Sequence, residues 1–241
     1  MKFIGVDLAW SYNNLTGVVV LSYENNVLRL EEVDVVTSDE EILSFIDGED
    51  VNHVAIDAPL IVPNKRGRRP AEDVCSKLFR RFEAGPYPAN RSWLERDGKI
   101  RGEEISKKLV KKGFVQDPYL RSGFENVFFE VYPHPAMVVL FDLVKSLKYK
   151  QGKNRSYQDR YEAFDVLVSN LKTLEVEGVS FLDEDYASYK GKALKRFEDK
   201  VDAFVCAYIA YYNYSYNDSC LVMGDLDKGY ILSPVFDYMQ K

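Results

Sequence analysis

Two aspartates lie in a stretch that otherwise has the pattern of a core helix. The segment KRFEDKVDAFVCAYIAYY, residues 195–212, is apolar on nearly every side from Val201 onward, yet it contains Asp199 and Asp202. Residues three apart on a helix project from one face. An unpaired buried carboxylate costs several kcal/mol, or shifts its pKa and takes a proton. An acid pair at this position therefore requires a cation.

Three further acids stand where strands end or where apolar residues are expected. Asp7 follows the apolar FIGV, Asp57 follows VAI, and Glu130 is embedded in FFEVY. Acids at the ends of neighbouring strands, facing a helix with an acid pair, converge on one point. Such a cluster stays ionised only around a cation. Hard oxygen ligands without cysteine select Mg²⁺ or Mn²⁺, which is the metal that we predict.

Composition indicates a single globular domain, residues 1–241. The chain has 241 residues, of which 46% are hydrophobic, enough for a sizeable core. Asp7 argues against a secretory signal, and the apolar run at residues 17–21 is too short to span a membrane. We expect a cytoplasmic protein with no membrane partner. The odd cysteine count, without C-x-x-C, argues against a disulfide frame and a thiolate zinc site.

The charge is distributed unevenly along the chain. The net charge is −6, but residues 61–112 hold 15 basic and 7 acidic residues, a net charge of +8. The remainder holds 17 basic and 31 acidic residues, a net charge of −14. We call residues 61–112 the basic insert. It predicts a polyanionic partner, although a solvated helix surface is equally compatible with this charge.

Each acid, taken alone, also allows a structural role. Asp199 suits a surface position, while Asp7 and Asp57 suit turn caps. Glu130 suits an ion pair with an arginine of the basic insert. Structural roles of this kind explain the position of Asp202 less well than the positions of the other acids.

The apolar pattern predicts a mixed set of strands and helices. Strands are expected at the start of the chain up to Asp7, on both sides of a hairpin turn at residues 24–26, before Asp57 and around Glu130. Two short strands or a hairpin are expected after residue 218. Helices are expected at residues 38–46, 71–83, 103–112, 135–147, 156–174 and 192–213.

Four segments together resemble a known family. GVDLAW, VAIDAP, FFEVYPHPA and DKVDAFVCAYIAY look like motifs of the domain-of-unknown-function 429 family, and the match spans almost the whole chain. The resemblance implies an α/β fold of the RNase H-like type, with a mixed sheet, flanking helices and the basic insert after the fourth strand. It also implies nuclease activity. The last helix is similar to the closing helix of Holliday junction resolvases.

The resemblance also implies roles for particular residues. In proteins of the RNase H-like superfamily, a first-strand aspartate, a fourth-strand acid and acids of the last helix bind two divalent ions. These positions correspond to Asp7, Asp57, Asp202 and Asp199. Glu130 belongs to the family's own EVYPHP-like motif, and we count it among the candidate catalytic residues. The implied reaction is two-metal phosphodiester hydrolysis of a nucleic acid or another phosphoester.

Other side chains are candidates for binding that substrate. We expect phosphate contacts from four residues of the basic insert and from His134. His134 is equally suited to proton transfer or to a structural hydrogen bond. Aromatic residues of the insert could stack bases or pack the insert onto the body of the domain. The insert candidates are Lys65, Arg66, Arg68 and Arg69 for phosphate, and Phe82, Tyr87 and Trp93 for bases.

Two other functional classes fit part of the pattern. An actin-like or sugar-kinase-type phosphotransferase also uses a first-strand aspartate with Mg²⁺. It needs a glycine-rich phosphate loop and a duplicated core, whereas SYNNLTG contains one glycine. A non-catalytic nucleic-acid-binding module on the same fold is the second alternative. Metal-dependent turnover separates it from the enzymes. The sequence leaves open DNA, RNA or a small phosphoester as substrate, and the oligomeric state.

Overall fold

Three antiparallel strands begin the structure, a computed structural model that describes residues 1–46, 52–121 and 126–240. They are β1 (Lys2–Asp7), β2 (Thr16–Glu24) and β3 (Val27–Val36). Asn25 and Asn26 link β2 to β3 with φ of 52° and 64°, the left-handed values that a type I′ turn needs. The predicted three-strand opening and its hairpin turn are confirmed.

Parallel strands extend the sheet on the other side of β1. In the described residues the seven-stranded sheet has the order β5-β6-β4-β1-β2-β3-β7, in which β4, β5 and β6 run parallel to β1. A separate hairpin, β8–β9, ends the fold as predicted. The sheet is therefore mixed, as expected. The later strands are β4 (Asn52–Ile56), β5 (Val115–Gln116), β6 (Val127–Glu130), β7 (Val176–Glu177), β8 (Cys220–Asp225) and β9 (Gly229–Pro234).

Helices cover both faces of this sheet. Six helices were predicted from the apolar pattern, and each has a counterpart. Serine side chains cap α1 and α6 by accepting hydrogen bonds from the third helical N–H. The short α3 was not predicted, nor were the two-residue strands β5 and β7. The helices are α1 (Asp39–Ser44), α2 (Pro70–Phe79), α3 (Arg91–Leu94), α4 (Arg101–Lys111), α5 (Pro133–Leu140), α6 (Tyr157–Leu171) and α7 (Lys192–Ser215).

The predicted helix at 135–147 was wrong in its extent. The helix α5 ends at Leu140, because Asp142 adopts the left-handed conformation with φ of 48°. The N–H of Leu143 then donates to the carbonyl of Val138 at 2.9 Å, the closing hydrogen bond of a Schellman motif. Glycine usually fills this position, so the aspartate gave no sequence signal for the end of the helix.

Side chains of each strand alternate between two buried layers. Phe3 packs in the core cluster that contains α5, α6 and α7, whereas Ile4 and Val6 pack in the cluster that contains α1 and α4. Because alternate residues share a face, Gly5 and Asp7 lie on the α7 side of β1. The same alternation in β4 puts Ala55, and Asp57 beyond it, on the α7 side.

Glycines allow α7 to approach the sheet closely. A Cβ atom at Gly5 would lie 2.0 Å from the Ala203 carbonyl oxygen, and one at Gly17 would lie 2.0 Å from the Asp199 carbonyl oxygen. Real Cβ atoms do not approach backbone oxygens this closely. The backbone of α7 therefore rests on β1 and β2 with no side chain between them.

The described part of the chain contains no helix long and apolar enough to cross a membrane. Its three cysteines are free, in agreement with the predicted lack of a disulfide frame. Residues 47–51, 122–125 and 241 of the predicted domain lie outside the described residues.

We expect Gly5→Ala to destabilise the protein by about 3 kcal/mol or more, because α7 would have to move off the sheet. Gly85→Ala is the matched control, since its Cβ would meet Ser76 Oγ at an ordinary 3.4 Å. Urea unfolding of both variants measures the difference. A Gly5→Ala variant as stable as Gly85→Ala would contradict this packing.

Candidate metal and phosphodiester site

Two aspartates lie side by side at the carboxyl edge of the sheet. The strands β1 and β4 are parallel neighbours, with Val6 paired to Ile56. The N–H of Asp57 continues this pairing by donating to the Val6 carbonyl at 2.9 Å. Asp7 and Asp57 therefore end adjacent strands on the face that α7 covers, and both are half-buried.

The acid pair of α7 lies above this edge. Gly17 is the register partner of Asp7, and it is the residue on which the backbone of Asp199 rests. Asp199 is 1% exposed and Asp202 is fully buried. The structure thus brings Asp7, Asp57, Asp199 and Asp202 close enough for their charges to interact. We call these four residues the acid cluster.

Electrostatic interactions link the members of the acid cluster. Burial raises the pKa of Asp7 well above its ordinary value, and the charges of Asp202, Asp57 and Asp199 raise it further. Burial also raises the pKa of Asp57 to about 7, with Lys150 opposing the shift. Both carboxyls are therefore unstable as anions in this arrangement.

A lysine and a tyrosine that the sequence analysis missed hold Asp202. The ammonium Nζ of Lys150 lies 2.7 Å from Asp202 Oδ2, and the Tyr149 hydroxyl donates to Asp202 Oδ1 at 2.5 Å. Burial alone would raise the pKa of Asp202, but the charge of Lys150 and the hydrogen bonds from Lys150 and Tyr149 lower it below its ordinary value. No periodicity or motif marks Lys150, because it reaches the cluster from an irregular connection.

A second lysine pairs with Asp199. The Nζ of Lys195 lies 2.5 Å from Asp199 Oδ1 and 2.8 Å from Glu198 Oε1. The other carboxylate oxygen, Asp199 Oδ2, is buried and has no hydrogen-bond partner among the described residues. Burial raises the pKa of Asp199 despite this lysine. The spacing of four residues between Lys195 and Asp199 on one helix could have revealed the pair from the sequence.

Glu130 does not join the acid cluster. Its strand neighbours Val127 and Phe129 face α7, whereas Glu130 shares the opposite face with Phe128. Its carboxylate binds Arg69, whose Nη2 donates to Glu130 Oε1 at 2.5 Å. The predicted catalytic role of Glu130 therefore loses its geometric basis, while the alternative ion pair with an insert arginine is what the structure contains.

Arg69 is a buried structural residue instead of a phosphate ligand. It is 2% exposed, and its guanidinium also binds Glu72 Oε1 and the carbonyl of Ile61. Because each of its nitrogens already donates to these acceptors or to Glu130, no donor remains for a phosphate. The prediction of a phosphate contact at Arg69 was wrong for this reason.

The other predicted phosphate ligands do not line the acid cluster. Lys65 and Arg66 are exposed on the insert surface. Arg68 lies along α2, where its Nε is 2.9 Å from Asp73 Oδ1 and its Nη2 donates to the Glu72 carbonyl. The basic side chains that share a depression with Asp7 and Asp199 are instead Lys192, Lys195 and Arg196, at the start of α7.

His134 has a structural environment. Its Nδ1 lies 3.2 Å from Ser146 Oγ, and its ring packs against Tyr132 and Tyr149. Burial and the charge of Lys150 lower the pKa of His134 to about 3. The imidazole is therefore neutral near pH 7, so it offers no positive charge to a phosphate. This agrees with the structural hydrogen bond that was the alternative expectation.

The donor atoms of the acid cluster suit a hard divalent ion, but they are not gathered as ligands. Within residues 1–46, 52–121 and 126–240, no three histidine, cysteine, aspartate or glutamate side chains surround one point as a metal requires. The orphaned Asp199 Oδ2 and the raised pKa values of Asp7 and Asp57 nevertheless mark unbalanced negative charge. Lys150 and Lys195 supply the positive charge in this structure.

We expect Asp57→Asn to stabilise the metal-free protein above neutral pH. The folded state holds a proton on Asp57 up to about pH 7, whereas the unfolded chain releases it near pH 4, so the free energy of unfolding falls as the pH rises between these values. Asparagine stays neutral, so the gain should be on the order of 2–4 kcal/mol at pH 8 and smaller at pH 5.

Urea unfolding in EDTA at both pH values measures this gain. Asp97→Asn is the control, because Asp97 lies in an exposed turn with φ of 51°, a conformation that asparagine tolerates. A destabilised Asp57→Asn protein at pH 8 would show that the Asp57 carboxylate is well compensated.

Comparison with known proteins agrees with the resemblance seen in the sequence. No curated protein and no solved structure matches this chain. A family model described as "Protein of unknown function (DUF429)" matches residues 5–227, from the middle of β1 to beyond β8. The match includes all four members of the acid cluster, and the chain therefore belongs to the DUF429 family.

Proposed function

We propose that this protein is a divalent-metal-dependent phosphodiesterase acting on nucleic acid, with an RNase H-like fold. The observation that carries the proposal is the acid cluster. Four carboxylates from β1, the end of β4 and α7 meet in a buried position where three of them have raised pKa values. A domain that needed these groups only for stability would gain by replacing them with apolar residues.

The placement of the acids supports the RNase H-like assignment. The resemblance expects one acid from the first strand, one from the fourth strand and a pair from the last long helix. Asp7 ends β1, Asp57 follows β4, and Asp199 and Asp202 lie in α7. In the seven-stranded sheet β1, β2 and β3 pair antiparallel, whereas β4, β5 and β6 run parallel to β1, so the sheet has the mixed character that was expected.

The four acids would have to draw together to hold Mg²⁺ or Mn²⁺, because they are not gathered around one point in the described residues. Such ions would supply an activated water and stabilise the leaving oxygen in phosphodiester hydrolysis. Asp202 is held in place by Lys150 and Tyr149 through both carboxylate oxygens. Asp199 is freer, because Lys195 is largely exposed and can leave it. Metal binding would offset the burial and the charge repulsion that raise the pKa values of Asp7 and Asp57.

The phosphotransferase alternative has less support. The loop between β1 and β2, residues 8–15, contains no glycine and so lacks the flexible phosphate-binding backbone of that class. A non-catalytic binding module would share the acid cluster but would not turn over substrate. The experiments below separate these classes.

We expect millimolar Mn²⁺ or Mg²⁺ to raise the melting temperature. An ion at 100 times its Kd adds about 2.7 kcal/mol, or roughly 5–10 °C for a domain of this size. Asp202→Asn should remove most of the shift, while Asp97→Asn should keep it. Scanning fluorimetry with and without EDTA measures both. A wild-type melting temperature that ignores both ions would refute the metal site.

We expect cleavage of nucleic acid to require the metal and Asp7. Single-stranded, duplex and branched DNA and RNA should be tested with Mg²⁺, Mn²⁺ and EDTA. Asp7→Asn should abolish cleavage while the protein stays folded, and Asp97→Asn should cleave normally. Cleavage that survives in EDTA, or in Asp7→Asn, would mean that another site or a contaminant is responsible.

A further inference from the structure

Two depressions flank the acid cluster and meet at one tryptophan. The first, which we call the aromatic cavity, is lined by Trp10, Asp57, Tyr87, Val131 and Tyr132 among others. The second, which we call the basic depression, is wider. Its lining includes Trp10, Asp7, Asp199, Lys192, Lys195 and Arg196. Asp57 thus lines the aromatic cavity, and Asp7 and Asp199 line the basic depression.

The aromatic cavity presents two exposed rings. Trp10 is 52% exposed and Tyr87 is 79% exposed, although both line a cavity that is otherwise largely apolar. Tyr87 stands between Pro86 and Pro88, which restrict the backbone on both sides of it. A ring that is exposed on a stiff segment can stack on a ligand with little loss of conformational entropy.

The loop that carries Trp10 is fixed by the basic insert. The buried guanidinium of Arg101, in α4, donates to the carbonyls of Ala9 and Ser11 at 3.0 and 3.3 Å. The N–H of Ala9 donates to Thr16 Oγ1 at 3.2 Å. The backbone on both sides of Trp10 is therefore anchored, which keeps the indole at the boundary of the two depressions.

The floor of the aromatic cavity is rigid and already satisfied. Arg69, Glu72 and Glu130 lie there, and the Arg69 guanidinium donates hydrogen bonds to both glutamates. These groups leave few donors for a ligand, so recognition in the cavity depends mainly on apolar and stacking contacts. The cavity therefore suits a flat ligand that needs few specific hydrogen bonds.

The basic depression has the opposite character. Lys192 and Arg196 are exposed, one turn apart at the start of α7, beside Lys195. Three cationic side chains beside Asp7 and Asp199 would attract the phosphates of an anionic ligand. A chain of phosphates that crossed this depression would reach Asp7 and Asp199 at its inner end.

We propose that the substrate is a nucleic-acid strand with an unpaired nucleotide, whose base enters the aromatic cavity between Trp10 and Tyr87 while adjacent phosphates cross the basic depression. This inference rests on the proposed function and specifies its substrate class. A nucleotide is the ligand that joins a flat apolar ring to a phosphate chain. The two depressions offer these two environments on either side of one cluster of acids.

A paired base cannot use this arrangement. In a duplex both faces of a base are stacked and its edge is hydrogen-bonded, so it must be extruded before it can enter a cavity. Single strands, loops and ends present such bases at little cost. Stacking on aromatic rings is tolerant of base identity, so we expect weak sequence preference.

The experiment measures binding without turnover. Oligonucleotides that carry the fluorescent base 2-aminopurine are titrated in EDTA, in single-stranded and duplex form. Tighter binding of the single strand, with a change in its fluorescence, is expected. Trp10→Ala and Tyr87→Ala should each weaken single-strand binding by roughly 5- to 150-fold. Trp10→Phe and Tyr87→Phe should restore most of the affinity.

Trp93→Ala is the matched control. Trp93 is 55% exposed in the basic insert but does not line either depression. The Trp93→Ala variant should bind single-stranded oligonucleotides with the affinity of the wild type. Melting temperatures of all variants establish that they are folded.

The salt dependence tests the basic depression separately. The double variant Lys192→Ala with Arg196→Ala should flatten the slope of log affinity against log salt by about 1.4 for a single strand. The double variant Lys65→Ala with Arg66→Ala should keep the wild-type slope. The reverse pattern would mean that the insert surface, and not the start of α7, contacts the phosphates.

The outcomes distinguish this inference from the proposed function. Unchanged binding in both alanine variants, or preference for duplex, overturns the inference, whereas metal-dependent cleavage would still stand. Loss of binding in both variants, without cleavage by the wild type under any metal, supports the inference and refutes the catalytic proposal. Failure of the wild type to bind any oligonucleotide at low salt overturns the inference. The exposed rings would then be assigned to contact with a protein partner.

Discussion

The backbone of α7 packs directly against β1 and β2, and this contact sets both the core and the position of the acids. Gly5 and Gly17 bring the helix backbone onto the sheet, and the same contact puts Asp199 next to Asp7. A helix held one side-chain layer further away would leave these acids apart and hydrated. The fold therefore creates the electrostatic problem at the acid cluster by the same packing that builds its core.

Lysine side chains balance only part of the negative charge of the acid cluster. Lys150 balances Asp202 well enough to lower its pKa, but Asp7, Asp57 and Asp199 keep raised pKa values. Each ammonium carries one charge, and Lys195 remains largely in solvent, where its attraction to a carboxylate is weakened. A small divalent ion would concentrate twice the charge among oxygen ligands. The proposed metal and the observed lysines are thus alternative partners of the same carboxylates.

Several basic side chains of the basic insert bind acids within the protein and so stabilise the fold. Arg69 binds Glu72 and Glu130, Arg101 is paired with Asp39, and Arg91 with Glu103. Much of the positive charge is therefore consumed by internal ion pairs. The insert shapes the site in two ways. Its residues 86–89 form one wall of the aromatic cavity, and Arg101 anchors the loop of Trp10.

Local sequence patterns predicted most of the strands and helices and the four members of the acid cluster, whereas the partners of those acids follow from the fold. Apolar alternation and helical spacing predicted the strands around Asp7 and Asp57 and the helix with Asp199 and Asp202, because those periods are local properties of the chain. The pairing of Glu130 with Arg69, the arrival of Lys150 at Asp202, and the presence of Lys192 and Arg196 beside Asp7 depend on strand register and on irregular connections. Such contacts join residues tens or hundreds of positions apart, so no local pattern encodes them.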